Sequence, residues 1–443
     1  MALASSSRKV VDCVVSQARR SIARSGCRCR VVSSTHVPPS QYTAAVMAAF
    51  SSSARHEGPA VSSPPQSLLK PMDVPKKLLM GPGPSNCPPR VLAAGALPMI
   101  GHLHPEFLKI MDEVKEGIQY AFQTKNEWTF AISGTGHAAM EASVANILEP
   151  GDVALVCQNG IWGQRLADMV DRNGSTAAVI QCPMGEVFSL EQIEKGLQEH
   201  KPAMVFITYG ESSGGTAQPL EGLGELCHKY NALLLVDSVA ILGGYPLYMD
   251  AWDIDILYAG SQKVLCSPPG TSPISFSQRA RDKIASRKTR VRSFYFDAKE
   301  LANYWGCDEH PRRYHHTAQV STVFALREGL ARLAEETLEK SWKDHRECAE
   351  LLYEGLEKLG LEPWVKNKDI RNPCVTAIRI PEGVDWKSVV DYAMQNYKIE
   401  IAGGLGDLGG KVWRIGILGY NCTPENVKLT LKVFGEGLAN ARK

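Results

Sequence analysis

The chain has 443 residues, 44% of them hydrophobic and 22% charged, which is ample material for more than one packed unit without disulfide or metal staples. Its twelve cysteines form no paired Cys-x-x-Cys units with histidines at metal spacing, which favours reduced thiols over a zinc module or an extracellular disulfide frame. The formal charge of +2 is uneven: residues 1–56 carry eight basic side chains against one acid, Asp12, for +7, which leaves −5 on the remainder, so the basic balance belongs to the leader and is no sign of nucleic-acid binding.

Val11, Val15, Ala18 and Ile22 share one helical face in that leader, with Lys9, Arg20 and Arg24 roughly opposite. An Arg- and Ser-rich, acid-poor amphipathic start is either a mitochondrial transit peptide or an unstructured basic tail, and the missing continuous apolar core argues against a secretory signal. The expectation is a transit peptide and linker over 1–60, hence a mitochondrial matrix protein. The apolar run 44–50 is too short to span a membrane, and none is expected. The terminal Ala441-Arg442-Lys443 is not the peroxisomal Ser-Lys-Leu address.

Residues 31–75 are rich in Ser and Pro and predict a linker ending in an extended arm over 61–75. Gly81-Pro82-Gly83-Pro84 then alternates backbone freedom with backbone restriction and predicts a shaped turn. Helices are expected over 110–122, 134–148, 190–198 and 220–229, and short apolar strands over 153–157, 203–209, 232–236 and 256–259. Such alternation predicts an α/β domain around a mostly parallel sheet, over 76–336. From 322 to 359 the pattern turns to long amphipathic helices, followed by strands at 375–380 and 412–418 and helices at 386–394 and 424–438. This is a smaller C-terminal α+β unit, 337–443.

Ser133-Gly134-Thr135-Gly136-His137 precedes a helical run. Its amides and the Thr135 hydroxyl suit an anion at the positive helix end, although a glycine turn alone is also simply a tight loop. The dinucleotide fingerprint fails after His137, and no P-loop Lys-Ser or Lys-Thr follows. Trp162 is either a flat face for a ring or ordinary core packing. The apolar run 233–236 ends in Asp237, at the carboxyl edge of a sheet, where an acid can pair with a protonated pyridine nitrogen or cap a helix. Lys263 follows the strand-like run and small-residue turn Leu-Tyr-Ala-Gly-Ser-Gln, where an amine can be held rigidly for a cofactor aldehyde. Arg414 in Val-Trp-Arg-Ile-Gly is a carboxylate clamp or a strand-edge ion-pair partner.

With these residues in view, the stretches LLMGPGPSNCPPRV, SGTGHAAMEA, EPGDVALVCQNGIWGQR, GESSGGTAQPL, LLLVDSVA, DILYAGSQKVL, NYWGCDEHPRRYHHT and RIGILGYNCT closely resemble the alanine–glyoxylate aminotransferase family, class V aminotransferases of pyridoxal-phosphate fold type I, from about residue 70 to the end. The resemblance implies pyridoxal 5′-phosphate as cofactor, with Lys263 as the Schiff-base lysine and proton shuttle, and Asp237 at the ring nitrogen. It further implies Trp162 against the ring, Thr135, Gly136 and His137 in the cofactor-binding turn, Ser212 near the phenolic oxygen and Gln262 at the phosphate. Arg414 corresponds to the substrate-carboxylate arginine. Tyr314 and Thr317 correspond to residues that reach the neighbouring subunit's cofactor phosphate, which implies a homodimer with shared active sites. Without the resemblance, His315 and His316 would pass for a metal pair, but no third ligand stands beside them, and no metal is expected. One departure is Thr135, where the family's turn commonly has serine; it keeps the hydroxyl.

The implied reaction moves an amino group from alanine, with serine as a further donor, to glyoxylate, so the partners are small amino acids and 2-oxo acids. A main activity with serine and pyruvate, or a kynurenine-type transaminase, stands as the enzymatic alternative. A non-catalytic dimer would be expected to lose Lys263, Asp237 or Arg414, and all three are present.

Overall fold

The computed structural model describes residues 61–441, so the basic leader with its transit-peptide reading, and the last two residues, lie outside the described residues. Within the first unit, Met1–Val74, the described part holds one 3₁₀ turn, Gln66–Leu69, with no buried side chain. The second unit runs from Pro75 to Lys443.

Helix α1, Pro105–Phe122, starts five residues before its expected position because Pro105 supplies the first turn with a preset φ. It buries Phe107, Met111, Val114, Ile118, Ala121 and Phe122, a single 3.6-period face, and stops at Gln123 in the left-handed region, φ 54°. Beyond it lies a seven-stranded sheet. Its strands are β1 (Trp128–Ser133), β2 (Val153–Gln158), β3 (Thr176–Gln181), β4 (Met204–Thr208), β5 (Leu233–Asp237), β6 (Ile256–Tyr258) and β7 (Thr271–Phe276), in the order β1-β7-β6-β5-β4-β2-β3. All are parallel except β7, which runs against both neighbours. Strands β4, β5 and β6 are buried throughout, as expected of a parallel sheet covered on both faces. Two of the covering helices, α2 (Gly136–Ile147) and α3 (Ile161–Arg172), each directly follow a strand.

The amphipathic stretch expected over 322–359 is two helices, α4 (Val320–Glu336) and α5 (Leu338–Lys358), separated by Thr337 at φ 70°. The boundary expected at 336 lies beside this break, while Pro75–Lys443 is a single compact unit. The first turn of α5 places Leu338 and Trp342 in the core of the large sheet, while Cys348, Leu352 and Leu356 belong to a second core with Trp413 and Phe434. That second core also contains Met80, from the start of the same unit. It underlies a three-stranded antiparallel sheet of β8 (Val375–Arg379), β9 (Ala402–Gly403) and β10 (Val412–Gly416), with β10 central. Helices α6 (Trp386–Tyr397) and α7 (Pro424–Ala441) complete this layer. No described helix is long and apolar enough to cross a membrane.

Candidate active site

The carboxyl ends of five strands deliver the site. After Ser133 the chain passes Gly134 and begins α2, with Thr135 at the N-cap making no side-chain capping bond. The first amides of a twelve-residue helix are therefore free to point at an anion. Beyond Gln158 the chain turns through Asn159 and Gly160 into α3, which carries Trp162. Strand β4 leads to Gly210 and Ser212, β5 ends in Asp237, and β6 leads through a turn to Gln262 and Lys263. Together Thr135, Gly136, His137, Trp162, Ser212, Asp237, Gln262 and Lys263 line one cavity, partly open to solvent, with Tyr258 and the apolar Met140, Val239 and Ala240. Ligands are expected at this edge of a parallel sheet.

Asp237 closes β5 and is 4% exposed. Its register partner Tyr258, on the same face of β6, donates a 2.8 Å hydrogen bond to Oδ2, and the Val239 amide donates to Oδ1 at 2.9 Å. Burial raises its carboxyl to about 6 against these two donors and the attraction of Lys263. No helix follows it, so the capping alternative does not apply. The Lys263 amine donates to the Pro82 carbonyl. Burial, reinforced by Arg414, lowers this amine to about 8, while Asp237 and Glu400 oppose the shift. An amine so placed is neutral in part near neutrality, the state in which it can attack a carbonyl carbon or take a proton.

The Trp162 indole N–H donates to Ser212 Oγ at 3.0 Å, and its ring meets His137 edge-on at 5.7 Å. Arg414 lies on the central strand of the small sheet and is buried, so the strand-edge alternative fails. Its Nε donates to the Gly403 carbonyl at 2.9 Å and Nη1 to the Ser212 carbonyl at 3.3 Å. A guanidinium has five donors, so the pair needed to grip a carboxylate is left over.

Three expected residues do not line this cavity: Arg414, which meets its wall at the Ser212 carbonyl, and Tyr314 and Thr317, which stand apart. Tyr314 is 57% exposed and Thr317 is also exposed; their hydroxyls lie 3.2 Å from each other, and neither lines the cavity of its own chain. Between them, His315 and His316 face each other through Nδ1 atoms 2.8 Å apart, with His316 Nε2 on Ser133 Oγ and His315 Nε2 at the Phe294 carbonyl. Among the described residues no cluster of three metal-type ligands occurs.

Sequence reasoning missed three participants. A β-carbon on Gly83, whose φ is 115°, would meet Lys263 Cδ at 2.6 Å, so the glycine turn exists to let the lysine pass. Tyr258 was read only as strand. Glu211 is completely buried beside Ser212, and its run Gly-Glu-Ser-Ser carries no local signal of that burial.

The residues fit pyridoxal 5′-phosphate. His137 Nε2 and Gln262 Oε1 are buried without partners, as polar atoms awaiting a polar ligand would be. Burial pushes the Asp237 carboxyl upward, a cost that a protonated ring nitrogen beside it would offset. The free helix end beside Thr135 suits a phosphate, and Trp162 with Val239 and Ala240 gives the cavity apolar walls.

The sequence model of the family Aminotransferase class-V matches residues 79–427. The alanine–glyoxylate aminotransferase of Callithrix jacchus is 55% identical over 381 residues, covering 86% of this chain and 92% of that protein. The (S)-ureidoglycine–glyoxylate transaminase of Bacillus subtilis (strain 168) is 37% identical over 375 residues, 81% of this chain and 89% of its own. Among solved structures, the alanine–glyoxylate aminotransferase of Nostoc sp. superposes with a TM-score of 0.82 at 45% identity, covering 85% of this chain and all of that one.

Proposed function

Since the chain belongs to the class-V aminotransferases, we propose that it moves the amino group of L-alanine to glyoxylate, giving pyruvate and glycine, with pyridoxal 5′-phosphate as cofactor. The observation that carries this reading is the meeting of Lys263 and Asp237 in one cavity, with Arg414 hydrogen-bonded to the Ser212 carbonyl at its wall. Relatives at 37–55% identity whose names include glyoxylate support that acceptor.

Lys263 would be the covalent anchor, Asp237 would hold the ring nitrogen, Trp162 would face the ring and Ser212 would lie near the phenolic oxygen. Thr135, Gly136, His137 and Gln262 would hold the phosphate. When bound, the cofactor is an electron sink for charge developing at the substrate's Cα. The chain's own work is positional and acid–base. Arg414 binds the substrate carboxylate through two of its three remaining N–H groups and so fixes the orientation of the Cα–H bond. The freed Lys263 amine takes that proton, and its lowered affinity for protons keeps part of the population basic near neutral pH. Asp237 is held in place through both oxygens by Tyr258 and the Val239 amide, as a fixed partner for a ring nitrogen requires. Initial rates with alanine and with serine, each against glyoxylate and pyruvate, test this reading. Alanine with glyoxylate should be fastest, with serine a slower donor; a dominant serine–pyruvate rate, or a preference for hydroxykynurenine, would overturn it.

The working unit is a homodimer in which Tyr314 and Thr317 of each subunit complete the other's phosphate site. Their exposure, and that of Leu97, Met99, Leu103, Phe294 and Tyr295, supports this. The leader's composition supports import into the mitochondrial matrix, where removal of glyoxylate would be the service performed.

A further inference from the structure

His315 and His316 stand between Tyr314 and Thr317 and have no assigned task. His315 is buried and stacks on Phe294, ring centres 4.8 Å apart. His316 is half-buried and packs against Tyr295 and Tyr304 at 5.1 and 5.5 Å. The Phe294 carbonyl can only accept, so His315 donates to it from Nε2 at 3.0 Å. With both rings neutral, His316 donates from Nδ1 to Nδ1 of His315 at 2.8 Å. Nε2 of His316 then accepts the Ser133 hydroxyl at 2.7 Å. The Tyr295 hydroxyl donates to the Ser133 carbonyl at 3.0 Å, tying the same residue to the same aromatic cluster. Ser133 ends β1 two positions before Thr135 and three before Gly136, both of which line the cavity. A continuous chain of hydrogen bonds therefore joins the segment carrying Tyr314 and Thr317 to the cofactor-binding turn of the same subunit.

We propose that His316 is a positioning residue for two cofactor phosphates. Through Ser133 it sets the turn of Thr135 and Gly136 in its own subunit, and through the backbone between Tyr314 and Thr317 it sets the residues offered to the other subunit. The proposal rests on the homodimer reading above, in which Tyr314 and Thr317 complete the neighbouring site. A phosphate gains most from donors that are already in place when it arrives, because no ordering cost is then charged to binding. Tyr314 and Thr317 project to the surface, so the backbone that the histidine pair pins decides where their hydroxyls point. Gly134 is tied separately to β7, by its amide to the Gly270 carbonyl and by its carbonyl to the Ser272 hydroxyl, so Ser133 is the joint through which the pair reaches the turn. A pair that only packed the interior would act on cofactor binding without regard to the phosphate.

The probes are pyridoxal 5′-phosphate and pyridoxal, which lacks the phosphate, each followed by the visible band of its lysine-bound form. His316→Phe keeps a ring among the aromatics and removes both hydrogen bonds. Its dissociation constant for pyridoxal 5′-phosphate should rise by about tenfold, with that for pyridoxal within about twofold of the parent. Ser133→Ala, which cuts only the link to the subunit's own turn, should raise the first constant by about threefold and also spare pyridoxal. Equal weakening of both ligands by His316→Phe, or no weakening, would overturn the proposal; should that variant not fold, an unchanged constant in Ser133→Ala would do so. Dimers of two differently tagged subunits separate the two roles, with Lys263→Ala in one subunit so that the band reports only on the other's site. His316→Phe added to the Lys263→Ala subunit should still weaken pyridoxal 5′-phosphate at the reporting site by about threefold. Tyr314→Phe with Thr317→Ala added there should do the same, and Ser133→Ala should not. A loss with the Tyr314 and Thr317 pair but none with His316→Phe would overturn the proposal and leave shared sites standing. No loss with either would overturn the shared site itself, and the proposal with it.

Discussion

Tyr258 donates its hydroxyl proton to Oδ2 of Asp237 across the β5–β6 step, at 2.8 Å, from the register position directly opposite. With the Val239 amide on the other oxygen, the carboxylate is fixed in direction without being neutralised. Asp237→Asn keeps the size and loses the charge. Its kcat for alanine with glyoxylate should fall by about 10²–10³-fold, with the fold intact by circular dichroism. An unchanged kcat would remove Asp237 from the ring-nitrogen role.

The second expectation concerns Gly83, where a positive φ coincides with close approach to the Lys263 side chain. Gly83→Ala demands both a strained backbone and a displaced lysine, costing about 1–3 kcal/mol. Cofactor affinity, read by equilibrium dialysis, should weaken by about tenfold or more on that scale. Wild-type affinity would show that the lysine does not need this opening.

Arg414→Lys preserves the charge and loses the fork. The KM for alanine and the KM for glyoxylate should both rise, by about 10- to 100-fold, because one geometry serves both carboxylates. A rise for one substrate alone would place the other's carboxylate elsewhere.

The proposed sharing of active sites makes a prediction that no single variant can. Lys263→Ala and the double variant Tyr314→Phe with Thr317→Ala should each be weak alone. Refolded together in equal amounts, they should regain about a quarter of wild-type activity, since half of the dimers then carry one complete site. No recovery on mixing, in dimers verified by subunit exchange, would count against the shared site.

The residues legible in the sequence were those whose chemistry follows local pattern. The buried strand ending in Asp237, the small-residue turn before Lys263 and the glycine turn before α2 each declare an edge position within a few residues. Gly83 and Lys263 are brought together from 180 positions apart, a contact no local pattern announces. Strand β7 went unread because Pro273 lies within it; in the fold that proline stands opposite Ala131 of β1, and its carbonyl accepts the Ala259 amide at 2.9 Å. Strand β3, with partly exposed side chains at the sheet edge, lacks the unbroken apolar run that marked β4 and β5. The stretch 322–359 reads as long amphipathic helices, but the exact break at Thr337, a single residue at positive φ, leaves no trace in hydrophobic periodicity. Arg414 was found, but the carbonyls that orient it come from Ser212 and Gly403, and only the folded chain brings these segments together.

The most direct test of the central claim is Lys263→Ala, examined by absorbance and by turnover in the same preparation. The expected result is a folded protein of wild-type oligomeric state that binds pyridoxal 5′-phosphate without the visible band of the lysine-bound cofactor. Its kcat for alanine with glyoxylate should fall by more than about 10³-fold. Retention of that band, or of turnover within tenfold of wild type, would contradict the assignment of Lys263 as both anchor and proton carrier.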